Sequence, residues 1–189
     1  MFMAKMKIKF PDQSVKNFDS PLTPAEIAKS ISNSLARKAV VAVVDGRVVD
    51  LSYPISRDSS VRILTFDDPE GKEAFWHSSA HLMASAVLEL FPETKLAIGP
   101  AIPDDFSFRF YYDLDLPHKL TDNDLVAIEK KMQQIVKKNL SFERSEKSKV
   151  KAIAEFEKEN DIYKAEMASE MEDENISFYS HGDFIDMCR

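Results

Sequence analysis

Two histidines within one segment of helical composition are the side chains of this sequence best placed for chemistry. His77 and His81 are four residues apart, and residues at that spacing lie on one face of a helix. Their imidazoles can therefore act together on one ion, water molecule or substrate. The alternative is a structural pair of hydrogen-bonded histidines packed beside Phe75 and Trp76. The spacing alone is compatible with both interpretations.

Cys188 is the natural third member of this set. It is the single cysteine of the chain, so it forms no internal disulfide and fits a reducing compartment. A thiolate and two imidazoles form a coherent zinc ligand set with one open position, which makes His77, His81 and Cys188 candidate zinc ligands. No glutamate follows His77, which argues against a zinc metalloprotease. A buried structural cysteine is the alternative.

Other polar residues have weaker signals. Asp186 lies two residues before Cys188 and shares its face if this segment is a strand. Lys164 has the chemistry to donate to a carbonyl or a phosphate, although an exposed lysine is the usual case. His118 and His181 are interpreted as surface histidines in loops.

The second part of the chain must position these residues, and it mixes helices with strands. Thr121 is predicted to cap one helix and Ser148 another. The acidic run from Glu166 to Glu174 is interpreted as a solvated, mobile segment because its like charges repel one another. The predicted elements are a helix over residues 73–91, a helix after Thr121, a helix over 149–157, and strands over 95–98, 106–114, 176–179 and 184–188.

The first 65 residues have the pattern of a small β-grasp unit. Thr23, Pro24 and Glu26 form the start signal of a helix, whose buried stripe is expected at Ile27, Ile31 and Leu35. Strands are predicted over residues 6–10, 15–18, 39–44, 47–51 and 61–64. The order ββαβββ predicts an α+β fold of the ubiquitin-like type, followed by an α+β domain.

Charge and composition divide the chain into two domains, predicted at residues 1–66 and 67–189. Ten Lys and Arg against six Asp and Glu give the first a net charge of +4, whereas the second carries −11. The four glycines are too dispersed for a phosphate-binding loop, which argues against a self-contained nucleotide-hydrolysing enzyme. No segment has the roughly 20 apolar residues of a membrane helix, and no signal segment follows Met1, so we expect no membrane partner and a cytoplasmic location.

Several motifs, taken together, closely resemble the N-terminal part of the bacterial threonyl-tRNA synthetase family. They span almost the whole chain in the family's order. The motifs are Val43-Val44-Asp45-Gly46-Arg47-Val48-Val49-Asp50-Leu51, His77-Ser78-Ser79-Ala80-His81-Leu82-Met83-Ala84, Ala97-Ile98-Gly99-Pro100-Ala101-Ile102, Phe110-Tyr111-Tyr112-Asp113 and Asp183-Phe184-Ile185-Asp186-Met187-Cys188-Arg189.

The resemblance implies a TGS domain followed by an editing domain that hydrolyses serine from mischarged threonine tRNA. It implies that His77, His81 and Cys188 line the editing pocket. We expect His77 and His81 to orient the terminal ribose and the attacking water, with one neutral imidazole as acceptor. Lys164 is expected to stabilise charge on the carbonyl oxygen or to position the water. Asp186 is expected to hold the serine ammonium and Cys188 to shape the end of the pocket. Gly99 and Pro100 are also expected to bind substrate.

The resemblance also implies cofactors and partners. The acceptor end of threonine tRNA is the expected partner, and this chain is expected to be a monomer although the full-length enzyme is a homodimer. ATP, magnesium and zinc are expected only in a catalytic part beyond this chain. No cofactor is required here, with zinc as a candidate at the editing site.

Two departures leave alternatives open. The family's fourth pocket residue falls beyond Arg189, so the editing domain is expected to be truncated, and the residues from Phe106 to Arg109 differ from the family pattern. One alternative is therefore a non-catalytic fragment that docks tRNA. The other is a zinc hydrolase that uses His77, His81 and Cys188.

Overall fold

A computed structural model describes residues 5–102 and 109–188, which belong to two compact units. The described residues up to Trp76 form the first unit, and residues 77–102 and 109–188 form the second. The sequence placed the division earlier, at residue 66, and those domain limits stay a prediction. In the described part of the chain, no helix has both the length and the apolar character needed to cross a bilayer.

The first unit contains a five-stranded sheet in the order β2-β1-β5-β3-β4. β1 and β5 are parallel and the other pairs are antiparallel. This arrangement is the predicted β-grasp fold, with helices in the long connection that follows β2. The elements are β1 (Lys5–Lys9), β2 (Val15–Asp19), α1 (Pro24–Ile31), α2 (Asn33–Lys38), β3 (Ala39–Val44), β4 (Arg47–Val49) and β5 (Ser59–Thr65).

The predicted helix start is confirmed, but the helix is shorter than its apolar stripe suggested. Thr23 and Glu26 form a reciprocal capping box at the start of α1. Ser32 then takes an extended conformation, and its side chain accepts a hydrogen bond from the Leu35 amide to begin α2. Within α1, Ile27 is fully buried, whereas Ile31, the last residue of the helix, is 43% exposed. The continuous buried stripe predicted here is therefore wrong.

The second unit is built on a three-stranded antiparallel sheet in the order β10-β9-β8, with a separate two-stranded sheet and helices around them. Helix α3 begins in the first unit, and its residues from His77 onward belong to the second. The elements are α3 (Pro69–Leu90), β6 (Lys95–Leu96), β7 (Leu114–Asp115), α4 (Asp122–Lys138), β8 (Glu143–Ser148), α5 (Lys149–Lys158), α6 (Ile162–Glu170), β9 (Asn175–His181) and β10 (Phe184–Cys188).

The two faces of the three-stranded sheet have different neighbours. Ile176, Phe178 and Met187 pack with residues of α5 and α6 in one hydrophobic cluster. Phe184 packs with Ala80 of α3 in another. Because side chains alternate along a strand, the face of β10 that carries Phe184 also carries Asp186 and Cys188, and this face is turned toward α3.

Several predicted elements of this unit are confirmed and others differ. Helix α4 begins with the predicted cap, since Thr121 and Asp124 form a capping box. Helix α5 follows Ser148, whose side chain makes no cap hydrogen bond. Strand β6 is only two residues long, and most of the strand predicted over 106–114 is absent from the described residues 109–114. Residues 103–108, which include most of the unusual segment before Arg109, lie outside the described part.

Two elements were not predicted. No helix or strand was assigned from the sequence to the residues of β8 or of α6, and α6 contains the start of the acidic run from Glu166. The interpretation of that run as a mobile segment is wrong up to Glu170, because the side chain of Asp161 accepts from the Lys164 amide and caps a regular helix there. Helix α6 carries Lys164, one of the candidate site residues.

Candidate functional site

Five of the seven residues expected to act on or bind substrate come together within the second unit. His77 and His81 lie on α3, Lys164 lies on α6, and Asp186 and Cys188 lie on β10. The sequence separations are long, since Asp186 is 105 residues from His81 and Cys188 is 111 residues from His77. Asp186 and Cys188 lie next to the two histidines because the face of β10 that carries them is turned toward α3.

The carboxylate of Asp186 is the centre of a buried hydrogen-bond network. Its Oδ2 atom lies 2.9 Å from Nδ1 of His81 and accepts from the hydroxyl of Tyr112 at 2.5 Å. Its Oδ1 atom forms an ion pair with Nζ of Lys164 at 2.6 Å, and that Nζ also donates to the Tyr112 oxygen at 3.0 Å. All four residues are less than 10% exposed. Both carboxylate oxygens are thus already engaged.

These contacts define the ionisation of Asp186 and the tautomer of His81. Burial acts to raise the pKa of Asp186, but the His81 hydrogen bond and the Lys164 charge outweigh it, so the pKa lies below its ordinary value. An ionised carboxylate only accepts hydrogen bonds, so Nδ1 of His81 carries the proton. In the neutral ring, Nε2 then presents a lone pair. Among the described residues this buried Nε2 has no hydrogen-bond partner.

His77 and Cys188 form a second pair beside this network. Nε2 of His77 lies 3.2 Å from Sγ of Cys188, and the rings of His77 and His81 are 4.8 Å apart between centroids. Burial lowers the pKa of His77 to about 4, helped by the nearby His81. Burial and the Asp186 charge raise the pKa of the Cys188 thiol to about 11. Both groups are therefore neutral at neutral pH, and the thiol is a poor nucleophile.

Tyr112 is a site residue that the sequence reasoning missed. It was recognised only as part of the motif that ends at Asp113, and no local signal separates it from Tyr111, which is 41% exposed. Burial and the Asp186 charge raise the pKa of Tyr112, so its hydroxyl stays protonated and donates to the carboxylate. Tyr112 therefore fixes both Asp186 and Lys164.

Gly99 supports Tyr112. A Cβ atom at Gly99 would lie 2.3 Å from a ring carbon of Tyr112, far inside van der Waals contact. The ring therefore fits against the chain only because residue 99 has no side chain. This gives Gly99 a packing role toward the site, whereas its expected contact with substrate stays a prediction. Pro100 is half-buried, and its expected contact with substrate also stays a prediction.

The two remaining histidines differ from each other. His118 has a side chain that is 44% exposed, as expected for a surface histidine. His181 is only 5% exposed, so its interpretation as a surface residue is wrong. Its ring packs against Phe142 and Phe184 at centroid distances of 4.9 and 5.1 Å, and burial lowers its pKa. The adjacent Gly182 suggested a surface turn, and the aromatic neighbours that bury the ring were not identifiable locally.

The donor set of the site fits a metal ion. One ligand atom from each of His77, His81 and Cys188 lies within 4.8 Å of the others. Two imidazoles and a cysteine are ordinary zinc ligands, and zinc would deprotonate the thiol on binding. Asp186 would then accept a hydrogen bond from Nδ1 of His81 while Nε2 faces the metal, an arrangement that is common for metal-binding histidines.

The buried His77 leads to a pH prediction. Its folded-state pKa of about 4 lies below its ordinary value of 6.5, so between these values the unfolded chain binds a proton that the folded chain excludes. The free energy of unfolding should therefore fall by about 2 kcal/mol between pH 6.5 and 4.5. Urea unfolding with a chelator present, followed by the methyl NMR signals of Ile176, measures this in the second unit. A His77→Asn variant should lose most of this decrease in the free energy of unfolding. If the decrease between pH 6.5 and 4.5 is as large in the variant as in the unsubstituted chain, the prediction is wrong.

Comparisons with known proteins agree with the β-grasp fold of the first unit and find relatives over almost the whole chain. A family model described as TGS domain matches residues 6–65. The chain is 46% identical over 184 residues to a threonine--tRNA ligase from Carboxydothermus hydrogenoformans, 44% identical over 185 residues to one from Clostridioides difficile, and 48% identical over 183 residues to one from an Azoarcus species. These alignments cover 96–97% of this chain but 28% of each relative, in the N-terminal part.

Proposed function

We propose that this chain, which contains a TGS domain and corresponds to the N-terminal part of bacterial threonine-tRNA ligases, hydrolyses the ester between serine and threonine tRNA. The reaction is an editing step. Serine lacks one methyl group of threonine, and one methyl group supports a discrimination of only about 1–3 kcal/mol at a binding site. A separate site that destroys the serine ester removes the errors that binding alone admits.

One observation carries this proposal: the buried network of His81, Asp186, Lys164 and Tyr112 lies beside the neutral pair of His77 and Cys188. An aminoacyl ester is already activated, so its hydrolysis needs a positioned water molecule and a donor for the developing oxyanion. The network provides an oriented imidazole acceptor and a buried ammonium group. It therefore has the parts that this reaction requires.

Each residue has a defined role in the proposed reaction. The lone pair on Nε2 of His81 accepts a proton from the attacking water, and His77 orients the terminal ribose. Lys164 Nζ, which has three N–H donors, gives two of them to Asp186 and Tyr112 and directs its third toward the carbonyl oxygen. The catalytic residues are thus His77, His81 and Lys164.

Asp186 and Cys188 serve the site in different ways. Asp186 already accepts from His81, Tyr112 and Lys164, so a direct contact with the substrate ammonium would require displacement of one of them. We assign Asp186 to positioning His81 and Lys164. Cys188 presents a small, uncharged thiol, which suits a wall of the pocket against which the hydroxymethyl group of serine fits.

The test is release of serine from mischarged threonine tRNA. The chain should release serine faster than the spontaneous rate and should leave correctly charged threonyl tRNA intact. If the chain binds the tRNA without accelerating release, then it is a docking fragment and the hydrolytic proposal is wrong. A chimera in which this chain replaces the matching part of the Clostridioides difficile relative provides the same test in the context of a complete ligase.

A zinc hydrolase is the second candidate, favoured by the closeness of His77, His81 and Cys188. The Nε2 atom of His81 also favours it, because it has no hydrogen-bond partner in the part of the chain that the structure describes. In that case zinc would supply an activated water molecule at its open position. Elemental analysis of protein purified without chelators separates the candidates. We expect substoichiometric zinc and an unchanged rate of serine release after chelation. One bound zinc per chain, with activity lost on its removal, would support the hydrolase.

The TGS domain and the relatives together support threonine tRNA as the partner, and the acceptor end carries the ester that the site would hydrolyse. Attachment of threonine to tRNA, with ATP and magnesium, is proposed only for a complete ligase. The monomeric state of this chain stays a prediction. Analytical ultracentrifugation of the chain alone measures it.

A further inference from the structure

A second cation lies on the same sheet face as the candidate site. Asp186 pairs with Tyr179 across β10 and β9, and Tyr179 pairs with Arg144 across β9 and β8. Directly paired residues in an antiparallel sheet point to the same face. The next row along the sheet places Cys188 opposite Ser177. Arg144 therefore shares the face that carries Asp186 and Cys188.

The guanidinium of Arg144 is held close to Cys188. Its Nη2 atom donates to the hydroxyl of Ser177 at 3.4 Å and pairs with Glu146 at 2.6 Å. Since Ser177 and Cys188 are direct partners, their Cβ atoms are about 4.5–5.5 Å apart. The positive charge of Arg144 acts on the thiol of Cys188, which supports this proximity. The guanidinium therefore contacts Ser177, which is the direct neighbour of Cys188 on the adjacent strand.

Exposure separates this cation from the one inside the site. The side chain of Lys164 is 4% exposed and its charge is compensated by Asp186 at 2.6 Å. The side chain of Arg144 is 32% exposed. A charged group of a substrate can therefore approach Arg144 from solvent, whereas it cannot reach Lys164 without entering the site.

We propose that Arg144 binds the phosphodiester on the 5′ side of the terminal nucleotide while the aminoacyl ester of that nucleotide occupies the site at His77 and Cys188. This inference rests on the proposed function. The ester is on the terminal ribose, and the phosphate on the same ribose is the anionic group of the tRNA nearest to it. A guanidinium is planar and has five donors, so it matches a phosphate and can retain Glu146 at the same time.

This substrate-binding role differs from a purely structural one. Arg144 also joins β8 to β9 through Ser177, so its removal could weaken the sheet and with it the whole site. A structural role affects every ligand of the site equally. A phosphate-binding role affects only ligands that carry the phosphate.

The test compares two non-hydrolysable probes by calorimetry on the whole chain. One is the seryl amide of 3′-amino-3′-deoxyadenosine, and the other is the same compound with a 5′-phosphate. A charge-assisted contact should make the phosphate-bearing probe bind about tenfold more tightly to the unsubstituted chain. Arg144→Ala should bind both probes with the affinity of the phosphate-free one, and Arg144→Lys should keep part of the difference.

Lys147→Met is the matched control. Lys147 lies on the same strand but on the opposite face, where it pairs with Glu155 and covers Phe178, so this variant should keep the tenfold difference. The proposal is overturned if Arg144→Ala keeps the difference, or if it weakens both probes equally. If neither probe binds the unsubstituted chain, the proposed function itself fails and this inference falls with it.

Discussion

Replacement of Asp186 by alanine is expected to lower the free energy of unfolding of the second unit by about 3–5 kcal/mol. The reason is the charge that remains. Lys164 has a side chain that is 4% exposed and pairs with Asp186 at 2.6 Å, so the substitution leaves a buried ammonium without its counter-charge. His81 and Tyr112 lose their acceptor in the same step. Urea unfolding followed by the methyl NMR signals of Ile176 measures the effect.

A second variant separates the cost of the unpaired charge from the cost of the lost side chain. Asp186→Asn combined with Lys164→Met removes both charges, and replacement of a buried ion pair by uncharged groups is often close to neutral. The double variant should therefore be more stable than Asp186→Asn alone. Asp183→Ala is the matched control, because Asp183 is exposed in the adjacent turn and should change stability by less than about 0.5 kcal/mol. Equal effects of Asp183→Ala and Asp186→Ala would contradict the prediction.

The parts of the site that were predictable have periodic or local causes. His77 and His81 share a helix face because they are four residues apart, and Asp186 and Cys188 share a strand face because they are two apart. The capped start of α4 at Thr121 follows from local chemistry of the same kind. These signals depend only on neighbours in the chain, so the sequence is sufficient to identify them.

The unpredicted parts depend on distant partners. Strand β8 consists of Glu-Arg-Ser-Glu-Lys-Ser and contains no apolar residue, so its own composition opposes a strand assignment. It forms because six consecutive residues pair with β9. In the same way, a lysine is ordinarily exposed, and Lys164 is buried only because Asp186 and Tyr112 meet it from elsewhere in the fold. Tertiary contacts overrode local preference at both places.

The sequence resemblance supplied what local reasoning left open, but it did not supply the hydrogen-bond pattern. The expectation that Asp186 holds the serine ammonium stays a prediction, and it did not include the three protein donors that the carboxylate meets. The expected contact of Gly99 with substrate also stays a prediction, and the motif gave no indication that Gly99 lies against the ring of Tyr112. Which partners a buried polar group chooses depends on distances of a few tenths of an ångström, and a motif does not encode them.

Loss of Nε2 from His81 is expected to reduce the rate of serine release about 100-fold or more, since a positioned general base contributes about 10²–10⁴-fold. His81→Asn is the informative variant. Its side-chain amide can occupy the place of Nδ1 and keep the hydrogen bond to Asp186, which is 2.9 Å long in the unsubstituted chain, while the acceptor at Nε2 is lost. Single-turnover release of serine from mischarged threonine tRNA measures the rate.

Three further variants show whether the lower rate of serine release comes from loss of a catalytic group or from loss of stability. His81→Ala should be as inactive as His81→Asn but less stable, because it also removes a partner of Asp186. Lys164→Ala should lower the rate as well, through loss of the ammonium that faces the carbonyl oxygen, whereas His118→Ala should retain it because that histidine is exposed. If His81→Asn and Lys164→Ala are both folded and release serine at the unsubstituted rate, the assigned roles are wrong.

The carboxylate of Asp186 holds both His81 and Lys164. The effects of His81→Asn and Lys164→Ala on the rate of serine release should therefore be less than additive in the double variant. Strict additivity would mean that the two groups act independently of Asp186.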